Sequence, residues 1–241
     1  MSYLLIFFTI SLLIILHELG HFLAAKRLGI PIARFSVGFG SKVWGFKMGE
    51  TEYWLSMIPC GGYVLPALQD EEAFDKIPLK SRILFSLAGP AANILGAFLC
   101  LSLMNTVKLG FSVHSVIDLP LEQIWQLAMQ ISAAILLLFS QPEHLSSIVG
   151  IVAAGGGYVG LSFVKLLQFS VLLNVNLAVF NLLPILPLDG GKIVMGLLQK
   201  IHQPLRRLEL PLTVGGWVLL AGLILYATAL DLARVAHGML G

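Results

Sequence analysis

Apolar residues run almost unbroken from Tyr3 to Leu16, interrupted only by Thr9 and Ser11. An apolar bilayer core of about 30 Å takes roughly 20 helical residues to cross. Four stretches meet that length: about 2–25, 83–103, 166–188 and 211–230. A polar, Gly-rich connection, 26–82, separates the first two, and a mixed stretch, 105–165, separates the second from the third. A short basic loop, 190–210, joins the last two. The pattern predicts an α-helical polytopic membrane protein with about four transmembrane helices. Residues 121–140 are apolar enough for a fifth span. Ile124, Leu127, Ala128 and Ile131 form a stripe of helical period there, with Glu122, Gln123, Gln126 and Gln130 elsewhere. This segment is expected to be an amphipathic or re-entrant helix on the outer face. The Gly-rich stretch 144–160 has no clear period and is expected to be loop.

Composition agrees with a membrane location. Of 241 residues, 57% are hydrophobic and 12% charged, against about 25% charged in a soluble domain; mean hydropathy is +0.89. The net charge of +2 comes without a basic tract, so nothing points to nucleic acid. Cys60 and Cys100 lie far apart and read as packing residues. The N-terminal run has no basic leader and no small-residue cleavage site, so it reads as a retained span.

Charge also orients the chain. Lys26, Arg27, Arg34, Lys42, Lys47, Lys76, Lys80 and Arg82 crowd the first connection, and Lys192, Lys200, Arg206 and Arg207 the last. The 105–165 connection holds only Lys108 and Lys165. The positive-inside rule therefore puts both basic connections in the cytoplasm and both termini outside. A fifth crossing at 121–140 would reverse the third span and undo that asymmetry.

Within the first span stands His17-Glu18-Leu19-Gly20-His21. On a helix the two histidines lie one turn apart on one face, so both imidazoles reach one metal ion. Glu18 is one step round, close enough to touch a metal-bound water. This is the H-E-x-x-H arrangement of zinc hydrolases, and in a membrane helix it points to hydrolysis inside the bilayer. An acid in hydrocarbon is expensive and marks function by default. Glu18 and Asp189 are the acids within or at the edge of the apolar stretches, apart from Asp231 just beyond the last. Asp189 follows Asn181-Leu-Leu-Pro184-Ile-Leu-Pro187-Leu, where the prolines forbid a regular helix. A catalytic zinc takes three protein ligands and leaves a position open, and Asp189 is the best candidate to join His17 and His21. The histidine motif begins about 24 Å along its helix, so both halves of the site fall toward the cytoplasmic face.

Five motifs in order then resemble the site-2 protease family of intramembrane zinc metalloproteases, closest to its bacterial branch. They are His17–Phe22, Ser36-Val-Gly38-Phe39-Gly40, Ile58-Pro-Cys-Gly-Gly-Tyr63-Val, Ala88-Gly-Pro-Ala-Ala-Asn93 and Asn181–Gly191. The resemblance covers nearly the whole chain except roughly 105–144. It implies one Zn2+ held by His17, His21 and Asp189, with Glu18 as general base. It implies a membrane-dipping β-hairpin, about 35–57, and substrate contacts from Asn181, Pro184, Pro187, Gly38, Phe39 and Gly40, with Asn93 and Gly190 in support of the site. Substrates would be single-span membrane proteins such as anti-sigma factors or remnant signal peptides. The location would be the bacterial inner membrane, in contact with the lipid bilayer. About sixty residues between the second and third spans leave no room for the PDZ domain of such relatives.

Other readings compete at several residues. Asn174 and Asn176 read as helix–helix glue, and the Ala88–Gly89, Ala91–Ala92 and Gly96–Ala97 pairs as close-packing residues. His114, His144, His202 and His237 read as surface, the acidic cluster at 70–75 as a solvated loop, and Arg206-Arg207 as a headgroup contact. For the whole chain the competing functions are a catalytically inactive regulator that binds membrane helices, and a metal transporter.

Overall fold

Helix α1, Ser2–Arg27, has no acid or base before His17 and ends on Lys26 and Arg27, cations suited to the negative end of a helix. Gly29 then turns left-handed with φ +69°. The Ile30 N–H bonds back to the Ala25 carbonyl at 2.9 Å, the Schellman closure that needs no side chain at that glycine. The computed structural model describes residues 2–67, 77–138, 148–160 and 162–236, and there the chain forms two compact units.

The first unit comprises Ile10–Asn93 and Phe180–Leu210. After α1 come the antiparallel strands β1, Ile32–Met48, and β2, Thr51–Pro66. The hairpin expected at 35–57 therefore runs on to Pro66 and takes in the Ile58–Val64 motif. Gly38, Gly40 and Gly61 all have positive φ; they bend the strands where a side chain would resist, rather than ending them. Arg34 to Val37 are paired with residues 52–55 and again with residues 62–65, so this part of β1 lies between two segments of β2. Phe22, Ala25, Ile30, Ile32 and Phe85 form the core, with Phe35, Tyr53 and Val64 packed against it.

Helix α2, Leu79–Leu109, carries Pro90 and begins in this unit. Its far end, with Met1–Thr9, Ile94–Val179 and Pro211–Gly241, belongs to the second unit. A π-helical turn, His114–Asp118, leads into α3, Leu119–Leu138. The stripe of α3 faces inward: Ile124 and Ile131 are buried with Ala97, Leu101, Val171 and Val175, and Leu127 and Ala128 pack beside them. Exposed Gln126 and Glu122 bond to each other at 3.0 Å.

Residues 148–159, expected as loop, form helix α4. A Cβ on Gly155 or Gly156 would strike the ring of Phe169 or Tyr3. The glycines that hide the helical period are what let this helix pack closely. Helix α5, Phe163–Asn181, stops short of the expected end at 188, because Pro184 offers no N–H and disfavours a helical residue before it. Helix α6, Asp189–Ile201, a 3-10 turn, Gln203–Leu208, and α7, Glu209–Ala236, complete the described chain. Among the described residues four helices, α1, α2, α5 and α7, are long and apolar enough to cross a membrane. The side chain of Cys60, the 70–75 cluster, His144 and His237 lie outside the described residues; Cys100 is half-buried, and His114 and His202 are exposed.

Candidate metal centre

Two helices meet in the first unit with matched spacing. His17 and His21 are four apart on α1; Phe85, Gly89 and Asn93 are four apart on α2, and so share one face. His21 Nδ1 is 2.8 Å from the Phe85 carbonyl oxygen, and His17 Nδ1 is 2.7 Å from Asn93 Oδ1. Asn93 Nδ2 donates to the Leu13 carbonyl at 3.4 Å, which turns its oxygen toward His17. Both partners of the imidazoles only accept, so each Nδ1 carries the proton and each Nε2 presents a lone pair. Gly20 makes the crossing close, since a Cβ there would meet the Ala88 carbonyl and come within 2.8 Å of Ala92 Cβ. Pro90 lacks the N–H of an ordinary helical residue and crowds the turn before it, the turn that carries Phe85 and Ser86.

The third group arrives from the broken end of α5. A Cβ on Gly190 would collide with the Leu182 and Leu183 carbonyls, and one on Gly191 with the backbone of Ile185 and Leu186. The two glycines thus let residues 182–186 fold against the first turn of α6, whose first residue is Asp189. Asp189 Oδ2 lies 3.2 Å from His17 Nε2 and 3.1 Å from His21 Nε2, and the two Nε2 atoms are 3.2 Å apart. All three residues are buried. Asp189 faces both imidazole lone pairs through Oδ2. Its other oxygen, Oδ1, accepts from Lys192 Nζ at 3.2 Å.

Three donor atoms facing one another with no proton between the two ring nitrogens repel unless a cation sits among them. Tetrahedral ligands at the zinc–nitrogen distance stand roughly 3.3 Å apart, close to the three separations found here. Space is available as well: a Cβ on Gly89 would run into His21 Nε2 and lie 2.7 Å from His17 Nε2. Two neutral imidazoles and a carboxylate suit a zinc ion, so these residues fit the group.

Glu18, half-buried, stands beside β2, whose Gly62 would bring a Cβ within 3.3 Å of Glu18 Cγ. Around that strand Gly38 is buried and Gly40 exposed, and the Phe39 ring stacks on Tyr63 with centroids 6.2 Å apart. Asn181 is half-buried at the end of α5, Pro184 exposed and Pro187 half-buried. His17, His21, Asp189 and Asn93 are brought together directly, with Gly190 buried at the seat of Asp189. The structure adds to the site Gly89, the Phe85 carbonyl, Gly62 and Lys192, none of which the sequence assigns to it. The four-residue spacing of 85, 89 and 93, equal to that of the histidines, was the signal available for the first two.

A family model described as peptidase family M50 matches residues 5–223. A regulator of sigma E protease from Haemophilus influenzae is 43% identical over 99 residues, which cover 36% of this chain and 22% of that protein. A Vibrio cholerae protein, provisionally named a zinc metalloprotease, is 42% identical over 99 residues with the same coverage. The chain thus spans about a fifth of the length of these two relatives. A Clostridium perfringens protein with a similar provisional name is 28% identical over 323 residues, covering 92% of this chain and 96% of its own. That match runs over more residues than the 241 of this chain, so the relative carries additional ones within it.

Proposed function

Because this chain belongs to peptidase family M50, the site-2 protease family, we propose that it is a zinc-dependent intramembrane endopeptidase. It hydrolyses a peptide bond within or near the transmembrane segment of single-span proteins such as anti-sigma factors or remnant signal peptides. The observation that carries this reading is the triangle of His17 Nε2, His21 Nε2 and Asp189 Oδ2, 3.1–3.2 Å on each side and kept open by Gly89.

His17, His21 and Asp189 would hold one zinc ion, which when bound would polarise the scissile carbonyl and acidify a water toward neutral pH. Glu18, next to His17 and outside the ligand set, takes the proton of the attacking water and hands it to the leaving amine. Asn93 and the Phe85 carbonyl keep the imidazoles in the tautomer that frees both Nε2 atoms. A peptide bond in a helix is shielded by its own hydrogen bonds, so the substrate unwinds locally before attack. Residues 62–65 are paired with β1, and Gly62 passes against Glu18. The unwound segment adds there as a strand, its lost bonds replaced by β2 backbone. Gly38, Phe39 and Gly40 flank that strand, and Asn181, Pro184 and Pro187 contact the substrate from the broken end of α5.

The protein sits in the bacterial inner membrane, with both termini outside and the active site toward the cytoplasmic face. The crowding of cations into the first and last connections supports this orientation. The decisive experiment replaces Glu18 by Gln in the full chain, co-expressed with a single-span substrate. Cleavage should fall at least a hundredfold while purified protein retains one zinc per chain. Undiminished cleavage would sink the reading.

A further inference from the structure

Helix α6 begins with Asp189 and is otherwise built the wrong way round for a helix that serves only its own core. The residues it buries are small or few: Gly190, Gly191, Met195 and Gly196. At Gly196 a Cβ would stand 3.0 Å from Leu79 Cδ1, so this face lies close on the start of α2. Apart from Met195 and half-buried Ile193, its large apolar side chains point the other way. Val194, Leu197, Leu198 and Ile201, spaced i, i+3, i+4 and i+7, form one stripe and are 39%, 44%, 42% and 82% exposed. A continuous apolar stripe left outside by the packing marks an interaction surface.

Charge identifies what covers it. Lys200, Arg206 and Arg207 are exposed along and just past the stripe, and no acid occurs from Gly190 to Leu208. The segment joins α5 to α7, both long and apolar enough to cross a membrane, so it lies at one membrane face. Thirteen residues span about 20 Å, too short to cross. An apolar stripe beside cations at a membrane face matches a helix lying in the bilayer surface, with phosphate headgroups over the cations and acyl chains under the stripe.

We propose that α6 and the adjoining 3-10 turn form an in-plane membrane-surface helix that binds anionic lipid headgroups through Lys200, Arg206 and Arg207. Asp189 is the first residue of that helix, so the lipid surface holds the helix that seats the third group of the metal centre.

The test uses the full chain in vesicles, with Cys60 and Cys100 replaced by Ala and a spin label on Ile201→Cys. The label should lie about 5–10 Å below the phosphates, more accessible to oxygen than to a water-soluble nickel chelate. In vesicles one-third phosphatidylglycerol it should sit deeper than in pure phosphatidylcholine. The Arg206→Gln/Arg207→Gln variant should remove that difference and weaken retention of phosphatidylglycerol, read by native mass spectrometry, roughly fivefold for each charge lost. A label freely accessible to nickel in both vesicles overturns the proposal, as does lipid retention unchanged in the variant. Spin–spin broadening that grows with protein density would assign the stripe to a second copy instead, and also overturns it. No substrate is involved, so the outcome is separate from that of the Glu18→Gln experiment.

Discussion

A methyl group on Gly89 would occupy the space between the two imidazole nitrogens, which makes one hydrogen atom the condition for a bound ion. Gly89→Ala should reduce zinc from one per chain to below a tenth, measured by metal analysis of purified protein. The helical circular dichroism should stay unchanged, because alanine favours a helix more than glycine does. Full zinc occupancy in that variant would contradict the site. Asn93 acts one step further out, through the proton on His17 Nδ1. Asn93→Leu removes the acceptor, and zinc affinity in chelator competition should drop 10- to 100-fold. Asn93→Asp restores an acceptor and should recover most of the loss, a rescue that simple packing at this position would not give. His17, Glu18, His21 and Asp189 were legible from sequence because their chemistry conflicts with an apolar setting. Gly89 was not, since a glycine among alanines is the ordinary signature of close helix packing.

Helices show the same division between what a pattern displays and what it conceals. The spans at α1, α2, α5 and α7 were visible because lipid exposure demands apolar residues on nearly every face. Helix α4 was not visible, for the glycines that permit its approach to Phe169 and Tyr3 also erase the 3.6-residue period. The full length of β2 was concealed by Gly61 and Gly62, which serve as a bend and a close approach to Glu18. Helix α5 ends seven residues before the apolar run does, because past Asn181 the helical ladder gives way to turns such as Leu183 N–H to the Phe180 carbonyl. The fold of residues 182–188 onto α6 depends on the Gly190–Gly191 pair. Gly190→Ala places a methyl group against the Leu182 and Leu183 carbonyls, and backbone cannot yield as a flexible side chain can. Asp189 should be pushed from its seat, with zinc affinity at least 10-fold weaker. An alanine at exposed Gly215, where a Cβ meets nothing within 4 Å, should change neither zinc binding nor melting temperature.

Across the whole molecule, the metal centre draws all its groups from one compact unit, while α1, α2 and α5 each contribute residues to both. The second unit contains its own buried acid. Asp231 of α7 is fully buried, accepts from the Gly150 N–H at 3.1 Å and pairs with Arg234 at 2.9 Å. Its sequence position, just past the apolar run, suggested a residue at the membrane edge and gave no sign of this burial, because α4 supplies the contact from eighty residues away. Gly150 lies in the first turn of α4, where backbone N–H groups have no partner within the helix, and a carboxylate is favourable there. The hydrogen bond from Gly150 therefore ties α4 to α7, and Arg234, one turn on in α7, offsets the charge of the carboxylate that accepts it. Arg234→Met removes the cation and leaves a buried carboxylate with less compensation, a loss on the order of 3 kcal/mol. Amide exchange in α4 should accelerate by about a hundredfold, the fold-change that this energy allows if opening of α4 limits exchange. Zinc content should stay at one per chain, because none of the groups around the ion belongs to this unit. Protected α4 amides in the variant would show that packing of Gly155 and Gly156, rather than the carboxylate contact to Gly150, secures the helix; loss of zinc would show that the two units do not act independently.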